Sequence, residues 1–102
     1  MTKSKNVWWV QQSETELTMG FQPEILKEWG TIRFLDLPLL GTHLIVGDRF
    51  VTVEASQSLT YASSLIAGTI TAINSQLNGW VSRDVDPSQW LVKIRLDPMT
   101  TK

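Results

Sequence analysis

The feature that most constrains this chain is a series of short segments whose side chains alternate with period two. The clearest is Trp90-Leu91-Val92-Lys93-Ile94-Arg95-Leu96, with Trp90, Val92, Ile94 and Leu96 on one side and Lys93 and Arg95 on the other. Successive strand side chains point to opposite faces, so this alternation belongs to a half-buried strand. Thr31 to Asp36 reads likewise, with Ile32 and Phe34 on one face and Arg33 and Asp36 making the segment half-polar. Phe50-Val51-Thr52-Val53-Glu54 and Gly68-Thr69-Ile70-Thr71-Ala72-Ile73 carry the β-branched bias of strands. Val7 to Gln12 and Glu16 to Met19 read as a further strand pair, joined near Ser13-Glu14.

Turn chemistry separates these segments. Leu37-Pro38-Leu39-Leu40-Gly41 and Gly47-Asp48 punctuate the middle of the chain, and Asn78-Gly79 and Asp86-Pro87 its last third. One short helix is expected after Pro23, which suits a first helical turn. Ile25, Leu26 and Trp29 form its apolar stripe, and Gly30 can end it in the left-handed conformation. Asn74 to Leu77 can form a second brief helical turn. The sum is a mostly-β chain of short strands, a small sandwich or barrel with one or two short helices.

A length of 102 residues fits one domain, 1–102, with 42% hydrophobic and 19% charged residues, ordinary globular values. The net charge is −1 and the basic residues are scattered. Nucleic-acid binding normally needs a clustered positive face, and membrane-surface binding a basic amphipathic one; neither is present. No cysteine exists, which excludes disulfides and thiolate chemistry. The polar start and the short apolar run Val7–Val10 do not make a signal peptide, and no stretch approaches the roughly 20 apolar residues of a membrane span. A cytoplasmic protein is the expectation.

Catalysis has little to work with. His43 is the single histidine and follows Gly41-Thr42 in a polar stretch, where solvated histidines are common. Ser56, Ser58, Ser63 and Ser64 cluster without a nucleophile elbow or a Ser-x-x-Lys pair, so they read as polar hairpin residues. Asp84 and Asp86 resemble a fragment of a calcium loop, but its glycine and distal glutamate are missing. No cluster of glycines builds a phosphate cradle. No enzyme is indicated.

From Gly20 to Asn74 the chain resembles the H protein of the glycine cleavage system. The family's pattern is a glycine, a short helix ending in leucine-glycine, a strand F-V-x-L-P-x-x-G, a G-D pair, V-E-S-V-K-A, and S-P-V-S-G-x-V-x-x-V-N. The counterparts here are Gly20, Gln22 to Gly30, Phe34-Leu35-Asp36-Leu37-Pro38 with Gly41, and Gly47-Asp48. They continue with Val53-Glu54-Ala55-Ser56-Gln57-Ser58 and Ser64-Leu65-Ile66-Ala67-Gly68-Thr69-Ile70-Thr71-Ala72-Ile73-Asn74. Trp9-Val10 resembles the family's early tryptophan, and Trp90-Leu91-Val92-Lys93-Ile94 its closing strand.

The resemblance implies a barrel-sandwich hybrid, a flattened β-barrel with a hairpin projecting from one edge, whose tip carries lipoate on a lysine. At that position this sequence has Gln57. Lipoylation needs an amine nucleophile, whereas an amide nitrogen is delocalised into its carbonyl. Lys3, Lys5, Lys27, Lys93 and Lys102 all lie outside the hairpin. Glu54 is kept, but Tyr61 replaces the family's acidic residue and Leu65 its proline. The segment from Asn74 to Trp90 is shorter than in the family and lacks its P-x-L-V-N run. Several changes in one hairpin fit natural divergence better than a single replacement. The resemblance therefore implies a module without its lipoate cofactor, with Glu54, Ser56, Ser58 and Tyr61 as the hairpin surface. It would dock on a protein partner such as a lipoate-attaching or glycine-cleavage enzyme. The alternatives are an aminomethyl carrier using an unusual attachment site, and a self-associating subunit using the tryptophans and Leu39-Leu40.

Overall fold

The computed structural model describes residues 6–82 and 84–98; Lys3, Lys5 and Lys102, named above, lie outside them. Among the described residues nine strands run β1 Trp8–Gln12, β2 Glu16–Phe21, β3 Ile32–Asp36, β4 His43–Leu44, β5 Arg49–Ala55, β6 Ser58–Ser63, β7 Gly68–Ile73, β8 Gly79–Trp80 and β9 Val92–Leu96. A helix α1, Pro23–Trp29, follows β2, and a 3₁₀ turn spans Ser75–Leu77. They form a five-stranded sheet ordered β1-β2-β9-β7-β4 and a four-stranded sheet ordered β6-β5-β3-β8. Every pairing is antiparallel. No helix among the described residues is long and apolar enough to cross a membrane.

The inner faces of the two sheets share one core. Leu17, Met19, Phe21, Ile70 and Ile94 come from the larger sheet and Ile32, Leu35, Val51, Val53 and Ala62 from the smaller, all buried. An aromatic chain runs through this core. Trp8 stacks on Phe21 and Phe50 with ring centroids 5.1 and 5.4 Å apart, and Phe21 meets Trp29 edge-on at 5.1 Å. Trp29 is thereby plugged into the core, and it fixes the end of α1. Pro23 stands in the first turn as expected, and Asn74 caps the 3₁₀ turn by accepting from the Gln76 amide.

Several expectations about faces are corrected by bulges. The β3–β5 register shifts between Ile32 and Phe34. One extra residue flips the alternation, so Leu35 joins Ile32 in the core while Phe34 turns outward against Trp80, 5.1 Å between centroids. A similar shift between Arg49 and Val51 buries Phe50 and Val51 together. Trp90 precedes β9 rather than belonging to it, and Leu91 is fully buried. Gly30 ends α1 with φ 80° but ψ −153°, outside the left-handed helical region.

Candidate functional site

The hairpin β5–β6 is closed by the two residues Ser56 and Gln57, with Ala55 paired to Ser58. Two-residue hairpins usually take turns that need positive φ, yet neither Ser56 nor Gln57 has one. The tip is held instead by tertiary bonds. The Ser56 amide donates to the Thr31 carbonyl at 2.8 Å and the Gln57 amide to the Trp29 carbonyl at 2.9 Å. In return the Thr31 amide donates to Ser56 Oγ at 2.9 Å. The last carbonyls of a helix lack intrahelical partners, so they are free to accept these donors. The tip is thus seated on the end of α1, which Trp29 anchors in the core.

Gly30 lets the two elements meet. A Cβ there would lie 2.2 Å from Ser56 Oγ and 2.9 Å from Gln57 Cγ. Sequence reasoning missed this seat of Trp29, Gly30 and Thr31. The one available signal was the glycine at the helix end, two residues before the start of a strand that pairs with the hairpin.

The expected surface residues divide between two environments. Gln57 is exposed at the tip, and its side-chain amide has no partner among the described residues. Ser56 turns toward Thr31 and Ser58 is half-buried. Glu54 and Tyr61 lie on the outer face of the smaller sheet. Glu54 is cross-strand from Leu59 on one side and Phe34 on the other, and Phe34 pairs in turn with Trp80. The Arg49 guanidinium sits 5.1 Å from the Tyr61 ring centroid, a cation–π geometry. On the other side of Gly30, a groove of about 570 Å³ runs along α1. Pro23, Leu26, Ile32 and Val85 give it apolar walls, and Glu24, Lys27 and Asp84 a charged rim.

The remaining candidates resolve into structural roles. His43 is part of β4 rather than a loop, exposed, with Nε2 2.7 Å from Asp97 Oδ2. Ser64 is buried, against expectation, and its Oγ both donates to the Ile66 carbonyl and accepts from the Ile66 amide. Asp86 accepts from the Ser88 amide and hydroxyl at 2.8 and 2.7 Å, and these bonds hold its carboxyl below the usual range. Among the described residues no group of histidine, aspartate and glutamate could hold a metal.

Fold and site together define a two-sheet β protein whose feature of interest is a pinned, solvent-facing hairpin tip. The family model for the glycine cleavage H-protein matches residues 1–102. The chain is 29% identical over 91 residues to a glycine cleavage system H protein from Nitratidesulfovibrio vulgaris (strain DSM 19637 / Miyazaki F), covering 86% of this chain and 72% of that protein. It is 28% identical over 93 residues to the counterpart from Mycobacterium tuberculosis (strain ATCC 25618 / H37Rv), covering 87% and 69%. The crystal structure of a glycine cleavage system H protein from Mycobacterium marinum superposes with a TM-score of 0.75 at 16% identity, covering 92% of this chain and 81% of that one. The fold is therefore the barrel-sandwich of that structure. This chain belongs to the glycine cleavage H-protein family, whose members are lipoyl carrier proteins, not enzymes themselves.

Proposed function

We propose that this chain is a non-lipoylated docking module of the H-protein family, one domain over residues 1–102, with Gln57 standing where the family carries its lipoyl-lysine. One observation carries the reading. The tip that would present the lysine amine presents Gln57 instead, exposed and with its side chain unpaired among the described residues. An amide cannot attack an activated lipoyl group, so the module carries no lipoate. In place of the lipoyl arm it offers a hairpin surface of Glu54, retained from the family's pattern, with Ser56, Ser58 and Tyr61. The proposed partner is a lipoate-attaching or glycine-cleavage enzyme that recognises this surface. The proposed setting is the cytoplasm, a compartment that suits a chain needing no disulfides.

The test is the intact mass of the protein beside its Gln57→Lys variant, each co-expressed with a lipoate-attaching enzyme and supplied with lipoate. The expected result is a bare mass for the native chain and a lipoylated mass for Gln57→Lys. Lipoate on the native chain would refute the reading and restore the family's usual carrier role through another residue. A variant that stays bare would show that the recognition surface around the tip is lost, and would remove lipoate-attaching enzymes as partners.

A further inference from the structure

The strand beyond the tip has an unfinished side. β6 is an edge of its sheet, paired to β5 alone. Because Ala55 and Ser58 close the hairpin as a hydrogen-bonded pair, the pairing parity places the amides and carbonyls of Leu59 and Tyr61 on the outer side, away from β5. Edge strands normally carry a charge, a proline or a bulge that blocks further pairing. Ser58-Leu59-Thr60-Tyr61-Ala62-Ser63 carries no charge and no proline, and the extra residue of the β5–β6 bulge belongs to β5. The side chains beside the open groups are large, with Leu59 75% and Tyr61 57% exposed. By contrast β1, an edge of the larger sheet, is partly closed: the Trp8 amide donates to Asn6 Oδ1, and Gln22 Nε2 donates to the Trp8 carbonyl.

We propose that β6 is a dimerisation edge, pairing antiparallel with β6 of a second copy of this chain across a two-fold axis at Thr60. Charge favours a copy, since an uncharged strand meets no like charge when it faces itself. The groups already in use select the register. Leu59 opposite Tyr61 of the second copy, and the reverse, uses both open residues and makes four backbone hydrogen bonds. Shifting so that Tyr61 faces itself would call on the Ser63 carbonyl, which already accepts from Trp8 Nε1 at 2.9 Å. Shifting the other way would call on the Gln57 amide, already donated to Trp29. The chosen register joins two four-stranded sheets into one of eight and sets Leu59 against Tyr61 on its outer face. A six-residue edge is roughly 20 Å long. Such a contact falls in the class below about 1,200 Å², so the dimer exchanges rapidly with monomer.

Two measurements on the full chain decide it. Sedimentation velocity should show native protein moving toward dimer as its concentration rises to about 1 mM, the range where weak association is populated. Tyr61→Pro removes one outward amide at a position where an edge strand accepts proline. It should stay monomeric with an unchanged circular dichroism spectrum. Because the chain has no cysteine, single substitutions report the register. Thr60→Cys faces its own copy in a non-hydrogen-bonded pair with Cα atoms about 4.5 Å apart, within disulfide range. It should form a disulfide dimer under mild oxidation. Leu59→Cys, two residues out of register with its own copy, should not. A native chain that remains monomeric throughout, or Thr60→Cys crosslinking no better than Leu59→Cys, overturns the proposal.

Discussion

Replacing Gly30 by alanine tests whether the hairpin tip is truly seated on the end of α1. The backbone there, φ 80° and ψ −153°, is one that essentially glycine alone adopts, and a residue forced into such a region costs about 1–3 kcal/mol. The new Cβ would also stand 2.2 Å from Ser56 Oγ. Swinging that hydroxyl away gives up the 2.9 Å bond from the Thr31 amide, worth about 1 kcal/mol. The expected loss is about 2–4 kcal/mol, a large part of the roughly 5–15 kcal/mol that stabilises a domain. Urea denaturation followed by tryptophan fluorescence measures it. Gly47→Ala is the control, because Gly47 has φ 93° and nothing within 4 Å of its virtual Cβ; it should cost only the backbone share, about 1–2 kcal/mol. Ser56→Ala removes the clashing hydroxyl, so the double variant should lose less than the sum of the two single losses. Equal losses for Gly30→Ala and Gly47→Ala, with strict additivity at Ser56, would refute the seating argument.

Three further outcomes follow from the same structure. Trp8→Ala empties a site that is 1% exposed and should cost about 3–5 kcal/mol in urea denaturation. Trp80→Ala, at a site 77% exposed, should stay within about 1 kcal/mol, since it loses little beyond its edge contact with Phe34. Asp86 has a folded pKa below its ordinary 3.8 because Ser88 donates to its carboxylate. The stability it adds is complete above 3.8 and is lost as pH falls through the lower folded value. Asp86→Asn should therefore flatten the acid limb of a plot of urea midpoint against pH; an unchanged limb would dismiss the Ser88 bonds as the cause.

The strands around Val51-Thr52-Val53, Ile70 and Ile94 were legible in the sequence because alternation and β-branching act locally. Pro23 and the Ile25-Leu26-Trp29 stripe marked α1 for the same reason. The identity of Gln57, and with it the absence of an amine at the hairpin tip, is likewise a matter of sequence alone. Faces were less legible. Phe34 was expected beside Ile32, but one bulge turned it outward, and a bulge depends on what the neighbouring strand offers rather than on its own residues. Ser64 read as a surface hydroxyl and is buried, because its Oγ satisfies itself on the Ile66 backbone. The seat of the tip lay furthest out of reach. Ser56 and Thr31 are 25 residues apart, and nothing near either announces the other. Local chemistry determined most of the longer strands and which residue stands at the tip, but not β4, β6 or β8, for which no strand was read. Only the closing of the two sheets decided where that tip is held and which edge of β6 stays open, because long-range hydrogen bonds and packing exist only once the chain has folded.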